Sequence, residues 1–283
     1  MEILITGARG MLGTEVALTL RQAGHQVTET DLPEVDITDP RSCATAVAGH
    51  RLVVNTAAFT AVDAAEAQEA TAFRVNAVGA AVLARAAHQA GARMVHISTD
   101  YVFAGDACAA YAEDAPVDPR SAYGRTKAAG EWAVRAECPD SLVVRTAWLY
   151  GPGGPNIATT IARLAGERDT LAFVDDQRGQ PTTTRHLARF LGDLVAADVP
   201  AGIYHGTCAG ETTWHGFAQA VLSELGMDPA RVRPIKTADY PLPAPRPAYS
   251  VLGHDRASAL GIAPLPPWRA ALAETIHDVV GAR

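Results

Sequence analysis

The stretch Glu2-Ile3-Leu4-Ile5-Thr6-Gly7-Ala8-Arg9-Gly10-Met11-Leu12-Gly13 decides the fold of this chain. An apolar run that predicts a buried strand leads into glycines spaced G-x-x-G-x-x-G, and these lead into helical apolar spacing. Glycines at such a junction permit a tight turn, and the N–H groups at the start of a helix can bind a pyrophosphate. A glycine-rich turn without a ligand is the plainer alternative, but the position between strand and helix favours dinucleotide binding.

The same alternation of strand and helix continues over the first half of the chain. Apolar runs predict strands at 3–5, 26–28, 52–54, 94–97 and 142–144, and helical spacing predicts helices over 12–23, 67–90 and 123–137. Strands that are apolar throughout are typical of a parallel sheet covered on both faces. We therefore predict an α/β fold, a doubly wound parallel sheet of the Rossmann-like kind, whose ligands bind at the carboxyl ends of the strands.

A second, smaller unit is predicted after residue 150. The segment Gly151-Pro152-Gly153-Gly154-Pro155 interrupts the pattern, and short helices with Pro-rich connections follow. We assign residues 1–150 to a dinucleotide-binding domain and 151–283 mainly to a C-terminal substrate-binding lobe. A helix near 184–197 and a strand near 202–204 allow residues 184–208 to rejoin the main sheet.

Composition excludes several classes of partner. The 283 residues are 48% hydrophobic and 19% charged, and the net charge of −7 gives no reason to expect nucleic acid or an anionic membrane. The four cysteines lie far apart, without metal-ligand spacing. Because neither a signal peptide nor a membrane-spanning run is apparent, we expect a cytoplasmic protein.

Residues that follow the predicted strands are candidates to bind the cofactor. Besides the loop residues Gly7, Arg9, Gly10, Met11, Leu12 and Gly13, they are Asp31, Asp36, Ile37, Ala57, Ala58 and Phe59. Asp31 occupies the place of an acid that accepts from an adenosine ribose hydroxyl, although a solvated charge at a strand end is nearly as good an interpretation. Asp31 favours NADH and Arg9 favours the 2′-phosphate of NADPH, so we predict use of both.

Tyr123 and Lys127 stand four residues apart in Ser121-Ala122-Tyr123-Gly124-Arg125-Thr126-Lys127. A phenol titrates near pH 10, so Tyr is a poor acid–base catalyst unless its anion is stabilised. An ammonium one helical turn away supplies that stabilisation. Such pairs also occur by chance on helix surfaces, and the pair gains meaning only beside a cofactor site.

Motifs along nearly the whole chain resemble the dTDP-4-dehydrorhamnose reductase family of extended short-chain dehydrogenases/reductases. Besides the N-terminal loop and the Tyr/Lys pair, they are Thr60-Ala61-Val62-Asp63-Ala64-Ala65-Glu66, Val75-Asn76-Ala77-Val78-Gly79, Ser98-Thr99-Asp100-Tyr101-Val102-Phe103, Arg145-Thr146-Ala147-Trp148-Leu149-Tyr150-Gly151, Asp176-Gln177-Arg178-Gly179-Gln180-Pro181-Thr182 and Arg246-Pro247-Ala248-Tyr249-Ser250-Val251-Leu252. The resemblance implies that NAD(P)H reduces the C4 keto group of a nucleotide-linked 4-keto-6-deoxy sugar. The expected substrate is dTDP-4-dehydro-L-rhamnose, with a related deoxysugar such as the dihydrostreptose precursor as alternative.

The resemblance also implies roles for single residues. Tyr123 would donate the proton, Lys127 would lower the pKa of that phenol and hold the nicotinamide ribose, and Thr99 would hydrogen-bond the carbonyl oxygen. Substrate-binding roles are implied for Asp100, for Trp148 as a flat wall beside the sugar ring, and for Arg246 at the pyrophosphate. A buried core aromatic is the alternative for Trp148, an ordinary surface arginine for Arg246, and core positions are predicted for Tyr101 and Phe103.

Glu15 marks the family's Mg²⁺ position at a dimer contact. Because no accompanying carboxylates are evident, we predict no bound metal, with Glu15 as the weak candidate ligand. A homodimer is a possible assembly. Tyr249 stands where the family pattern Arg-Pro-x-Asn-Ser has Asn, which leaves the sugar and the base undecided.

Three rival functions remain on this scaffold. A dehydratase needs Thr-Asp-Glu, and Tyr101 occupies the Glu position here. An epimerase would not consume NAD(P)H. A non-catalytic regulatory subunit, like that of methionine adenosyltransferase, would not need Thr99, Tyr123 and Lys127 together.

Overall fold

The computed structural model describes residues 1–281 as a layered α/β arrangement. Its strands are β1 (Glu2–Thr6), β2 (Gln26–Thr30), β3 (Leu52–Asn55), β4 (Arg93–Thr99), β5 (Leu142–Thr146), β6 (Leu149–Tyr150), β7 (Leu171–Val174), β8 (Arg178–Gly179), β9 (Thr182–Thr183), β10 (Gly202–His205), β11 (Thr212–Thr213) and β12 (Val232–Ile235). Its α-helices are α1 (Met11–Gln22), α2 (Pro40–Val47), α3 (Val62–Ala67), α4 (Glu69–Phe73), α5 (Ala80–Gln89), α6 (Ala122–Glu137), α7 (Ile157–Glu167), α8 (Thr184–Ala196), α9 (Trp214–Glu224), α10 (Asp255–Ala259) and α11 (Trp268–Gly281).

A six-stranded sheet in the order β10-β5-β4-β3-β1-β2 forms the centre of the molecule, and all of its pairings are parallel. The strand order reverses between β1 and its neighbour β3, which opens the crevice where a doubly wound sheet binds its ligand. The predicted α/β, doubly wound fold is confirmed.

Two apolar layers cover the sheet. One face packs against α1 and α8 through a cluster that includes Ile5, Val16 and Leu191, and the other packs against α2, α5 and α6 through Leu4, Leu83 and Val134. All six side chains are buried. Burial of both faces explains why β1, β3 and β5 carry nearly unbroken apolar runs.

The chain returns to the sheet after residue 183. Helix α8 packs on α1, and β10 pairs in parallel with β5, with Gly202 opposite Leu142. A third apolar cluster, formed by α7, α9, α11 and the paired strands β7 and β12, lies apart from these layers. It is built from segments on both sides of 184–205.

The strand predicted at 26–28 is confirmed as β2, which lies at the sheet edge and exposes Gln26, Thr28 and Glu29. One sequence prediction about local structure is wrong. The helix predicted over 67–90 is broken: α4 passes into a π-helix, Arg74–Gly79, before α5 begins. π-Turns of this kind are frequent at functional sites.

The side chain of Asn76 explains that break. Its amide accepts from the Phe59 amide nitrogen at 2.8 Å and donates to the Phe59 carbonyl at 3.0 Å and to Thr126 at 3.0 Å. Gly130 allows the approach, since a Cβ there would lie 2.2 Å from the Asn76 carbonyl oxygen. Asn76 is therefore a hydrogen-bonding device, and it joins the segment after β3 to α6.

Candidate active site

A cavity of about 600 Å³ lies at the carboxyl ends of β1 to β5. The predicted site residues that line it are Gly7, Gly10, Met11, Leu12, Gly13, Asp31, Asp36, Ile37, Ala57, Ala58, Thr99, Asp100, Tyr123, Lys127 and Trp148. Among the residues that the structure describes, Arg9, Phe59, Arg246 and Glu15 do not form part of this lining. The cavity has a cofactor-loop end at Gly7–Gly13 and a buried end at Thr99 and Tyr123.

The glycine loop forms a cradle that side chains would fill. Gly7 has φ +71°, and a Cβ at this residue would lie 2.6 Å from the Ala57 amide nitrogen. A Cβ at Gly13 would lie 2.4 Å from the Gly7 carbonyl oxygen. Within residues 1–281 no side chain caps α1 at Gly10, so the N–H groups of the first turn face the cavity end. This geometry fits a dinucleotide pyrophosphate.

Asp31 is held at the same end of the cavity. One carboxylate oxygen accepts from the Arg9 amide at 3.1 Å and the other from the Leu32 amide at 2.8 Å. The Arg9 guanidinium turns outward, where it pairs with Glu34 at 2.5 Å and donates to the Leu32 carbonyl at 2.7 Å. With 61% of its side chain exposed, Arg9 lies beside the rim of the cavity and not in its lining.

Asp36 and Ile37 form one wall of the cavity, next to the glycine loop. The Asp36 carboxylate accepts from the backbone and hydroxyl of Thr38, and these hydrogen bonds hold the pKa of that carboxyl below its usual range. Ile37 is buried against Gly79 of the π-helix, where a Cβ would lie 2.9 Å from Ile37 Cγ1. The wall is thus rigid on its inner side.

Phe59 and Arg246 occupy places other than the expected ones. Phe59 has its backbone bound by Asn76 and packs in a small apolar cluster with Ala65 and Ala122. Arg246 pairs with Asp63 at 2.7 Å, and this contact lowers the pKa of the Asp63 carboxyl. The pair ties the Pro-rich segment to α3, near the cavity residue Tyr101, whose pKa both charges influence.

Thr99, Asp100 and Tyr123 converge at the buried end. The Thr99 hydroxyl donates to Asp100 Oδ1 at 2.9 Å, and the same hydroxyl lies against the Tyr123 phenol. Among the described residues, Asp100 Oδ2 accepts no hydrogen bond of good geometry, and the neighbouring Ser250 hydroxyl lies close enough to lower the pKa of the Asp100 carboxyl. Burial raises the pKa of Asp100 to about 6, and burial followed by the Asp100 charge raises the pKa of Tyr123. A buried, unpartnered carboxylate oxygen in a cavity is suited to accept from a ligand hydroxyl.

Lys127 is buried directly behind this group. Its ammonium donates to the Ile97 carbonyl at 2.6 Å and lies 3.5 Å from His96 Nε2. Burial lowers the pKa of Lys127 to about 8, and the charge of Glu131 acts in the opposite direction. Burial is the largest influence on the Tyr123 phenol and raises its pKa, so the lowering of that pKa by Lys127 stays a prediction.

The proton on His96 follows from its neighbours. Asn55 Oδ1 accepts from the Ala57 amide at 3.1 Å, which fixes the orientation of the Asn55 side chain. Asn55 Nδ2 is therefore the donor to His96 Nδ1 at 3.1 Å, and the neutral ring carries its proton on Nε2, facing Lys127. Burial and the neighbouring Lys127 charge keep the pKa of His96 well below its usual value.

Comparison with known proteins decides the family. The family model described as RmlD substrate binding domain matches residues 1–280. A dTDP-4-dehydrorhamnose reductase of Streptomyces griseus is 49% identical over 98% of this chain and 94% of the relative. The chain belongs to the dTDP-4-dehydrorhamnose reductase family. The resemblance drawn from the sequence motifs is confirmed.

A second curated relative and a solved structure are also similar to this chain over nearly its whole length. A probable dTDP-4,6-dihydroxy-2-methyloxan-3-one 4-ketoreductase of Streptomyces antibioticus is 47% identical over 100% of this chain and 97% of the relative. A crystal structure of dTDP-4-dehydrorhamnose reductase from Bacillus anthracis in complex with NADP matches with TM-score 0.94 and 33% identity, covering 98% of this chain and 99% of that one.

In this reductase-family fold, sequence reasoning missed Trp214. Its ring stacks on Trp148 with 3.5 Å between centroids, and its Nε1 donates to Gln177 at 3.1 Å. Both tryptophans line the cavity, and Gly179 makes room, since a Cβ there would lie 2.4 Å from the Trp148 ring. Trp148 has φ +45°, a strained value for a side chain of its size. No local signal identifies Trp214, because its partner is 66 positions away.

Tyr101 also differs from its predicted place. Phe103 is buried as expected, but Tyr101 lines the cavity and meets the Tyr123 ring edge-on at 5.7 Å between centroids. The short 3₁₀ turn 100–102 ends the alternation of β4, so the strand-like pattern does not apply there.

The described residues contain neither a cluster of metal ligands nor a membrane-spanning helix. Within 1–281 no group of three His, Cys, Asp or Glu side chains converges as metal ligands would. Glu15 is buried on α1, with Arg185 as a charged neighbour. No helix in the described part of the chain has the length and apolar character to span a bilayer.

Proposed function

We propose that this chain is an NADPH-dependent reductase of the C4 keto group of a dTDP-linked 4-keto-6-deoxy sugar, with dTDP-4-dehydro-L-rhamnose as its substrate and dTDP-L-rhamnose as product. The observation that carries this proposal is the convergence of Thr99, Tyr123 and Lys127 at the buried end of the cavity that begins at the glycine loop. The near-full-length relatives of the same name support it.

Each of the cavity residues has a separate role in the proposed reduction. A dinucleotide held by the loop Gly7–Gly13 and by Lys127 would supply a hydride for C4 of the sugar, and the carbonyl oxygen would gain a proton. Tyr123 donates that proton, while the Thr99 hydroxyl hydrogen-bonds the oxygen on which negative charge develops. Asp100 accepts from a sugar hydroxyl through Oδ2. Lys127 holds the nicotinamide ribose, and its positive charge stabilises the Tyr123 phenolate until a proton from water restores the phenol. The Trp148 ring, backed by Trp214, forms the apolar wall for the sugar.

The choice of NADPH rests on Arg9 and on the relative that binds NADP. Arg9 stands beside Asp31 at the cavity rim with an exposed guanidinium, which is suited to a 2′-phosphate. Because the Asp31 carboxylate remains in the cavity lining, NADH is accepted as well. The glycine cradle serves either cofactor equally.

A related deoxysugar is the second candidate substrate, favoured by Tyr249. Its hydroxyl donates to Glu211 at 2.9 Å, and Glu211 pairs with Arg178, so a bulky side chain takes the place of the family's Asn. The Streptomyces antibioticus relative, named for a different ketosugar, is nearly as similar to this chain as the rhamnose-type relative.

Rival functions on this scaffold find less support. A dehydratase would need an acid at position 101, where Tyr101 stands with a pKa raised by burial. A non-catalytic subunit would have no use for the buried ammonium of Lys127, which is costly to place there.

One experiment separates these functions. Purified protein is incubated with NADPH or NADH and each of dTDP-4-dehydrorhamnose and related ketosugars, absorbance is followed at 340 nm, and products are identified by NMR. We expect stoichiometric oxidation of NADPH with a 4-hydroxy sugar as product. Product without net oxidation would identify an epimerase, and binding of NADPH without oxidation by any ketosugar would favour the regulatory function.

Several further assignments belong to the proposal. We assign residues 1–150 with the returning segment 184–208 to cofactor binding, and the remainder of 151–283 to the sugar nucleotide. The enzyme would act in the cytoplasm, where NADPH and nucleotide sugars are available, without nucleic acid, membrane or bound Mg²⁺. A homodimer is the assembly to test, by sedimentation.

A further inference from the structure

The surroundings of Lys127 contain one carboxylate that the proposed reaction does not use. Lys127 is 2% exposed, and the titratable groups whose charges interact with it are Glu131 on α6 and His96 on β4. Tyr123, one turn earlier on α6, and Asp100 line the same cavity. His96 turns an N–H toward the amine, which disfavours the charged form. Glu131 is the group in this set whose charge favours it.

Both carboxylate oxygens of Glu131 accept hydrogen bonds. Ser98 donates its hydroxyl to Oε1 at 2.5 Å, and Arg145 donates to Oε1 from Nε at 2.9 Å and to Oε2 at 2.8 Å. Both members of the ion pair have side chains only 2% exposed. Ser98 lies next to the last residue of β4 and Arg145 lies on β5, so one carboxylate joins α6 to two neighbouring strands.

The spacing of residues along α6 places Glu131 on the same helix face as the proposed catalytic residues. Tyr123, Lys127 and Glu131 follow one another at intervals of four and therefore share a face of the helix. Thr99 directly follows Ser98 on the strand. Any rotation or shift of α6 that separated Glu131 from Ser98 would also separate Tyr123 from Thr99.

We propose that Glu131 is a positioning residue: held by Ser98 and Arg145, it fixes α6 on the ends of β4 and β5 and keeps Lys127 in its charged form. This inference rests on the proposed reductase function for its effect on turnover, but the charge of Lys127 can be measured without it. Glu131 does not itself line the cavity in the described residues, and it acts through Lys127.

A purely structural ion pair is the alternative. Buried pairs are often replaceable by apolar residues without loss of stability, whereas removal of one partner leaves a buried charge unpaired. The double variant Glu131→Gln/Arg145→Met therefore removes the carboxylate while avoiding an unpaired Arg145. Glu131→Gln alone provides a second variant without the carboxylate, and it should be less stable.

The test is the titration of Lys127, followed by NMR of its labelled side chain in the cofactor-free, full-length protein. Without the carboxylate the charged form of Lys127 is less favoured, so we expect its titration midpoint to fall by about one pH unit in Glu131→Gln. The double variant also loses the opposing positive charge of Arg145, so its midpoint should fall by less. The alkaline limb of kcat/KM should move to lower pH by the same amount as the midpoint in each variant. Glu113→Gln is the matched control, because the Glu113 side chain is also a buried carboxyl but accepts from the Arg256 amide and not from Ser98 or Arg145. In this control variant Lys127 should titrate with the same midpoint as in the parent protein.

The two possible results are distinct. A lower Lys127 midpoint in the charge-removing variants, with the control unchanged, supports the inference whether or not a ketosugar is turned over. A folded Glu131→Gln variant with the parent midpoint and the parent pH profile would reduce Glu131 to a structural role. If the parent protein reduces no ketosugar, the proposed function fails and the NMR result stands by itself.

Discussion

The two ends of the cavity are built in different ways. The cofactor-loop end consists of backbone, with glycines at Gly7 and Gly13 and exposed charges at Arg9 and Glu34. The buried end consists of side chains, among them Tyr123 and Lys127. Backbone recognition at a helix start needs space and little else, whereas acid–base chemistry needs ionisable groups removed from water. Mutations at the buried end should therefore change rates by large factors, and those at the loop end should mainly change binding.

The largest effect is expected for Tyr123→Phe. Loss of the proton donor should reduce kcat by a factor of about 10²–10⁴ while NADPH binding stays largely intact. Stopped-flow turnover and fluorescence titration of NADPH measure the two properties separately. Tyr101→Phe is the control, since this ring packs edge-on against Tyr123 and leaves the donor in place. A near-normal rate for Tyr123→Phe would contradict the proton-donor role. It would also contradict the expectation that the buried end of the cavity controls the rate and the loop end controls binding.

Asp100→Asn should raise stability at the cost of activity. The pKa of Asp100 in the folded protein, about 6, lies above the ordinary value of 3.8. The protonated carboxyl therefore stabilises the fold fully below about pH 4, and this contribution to stability is lost as the pH rises through 6. At pH 8 the variant should therefore gain about 2–3 kcal/mol in the free energy of unfolding. Denaturant melts at pH 4 and pH 8 give this difference, and it should disappear at pH 4. Asp114→Asn, at an exposed position, should show no such difference.

Gly13→Ala tests the loop end. The added methyl group has to displace the Gly7 carbonyl or the Ala8 backbone, and overpacking of this kind costs about 1–3 kcal/mol. We expect NADPH affinity to fall about tenfold or more, with a smaller change in kcat at saturating cofactor. Gly10→Ala is the matched control, because the nearest atom to its Cβ is 3.2 Å away. Equal losses in the two variants would show that the cradle does not depend on close approach.

The smallest effect is expected for Glu34→Gln. This substitution releases the exposed Arg9 guanidinium from its partner, so the KM for NADPH should fall a few-fold while the KM for NADH stays unchanged. Initial rates with each cofactor give the comparison. Glu167→Gln, which breaks an exposed pair with Arg163 in α7, is the control. A parallel change for both cofactors would exclude a role of Arg9 at the 2′-phosphate.

Much of the loop end could be predicted from sequence because its elements are adjacent along the chain. Strand β1, the glycines and α1 follow one another directly, and the run of apolar residues in β1 is the signature of a buried strand. The continuous helix over 67–90 was mispredicted because a distant contact, from Asn76 to Phe59 and Thr126, widens one turn. Edge position, which sequence periodicity does not report, explains the exposed β2.

At the buried end, the sequence by itself determined which chemistry is available: the spacing of Tyr123 and Lys127 on one helix face and a threonine at the end of a strand. Tertiary structure alone decided how these groups are tuned. The stacking of Trp214 on Trp148, the orientation of Asn55 that turns the His96 proton toward Lys127, and the Glu131–Arg145 pair all join residues distant in sequence. Residue types and local spacing are properties of the chain, but burial and the approach of charges arise only when separate segments pack together, and these set the pKa values on which acid–base chemistry depends.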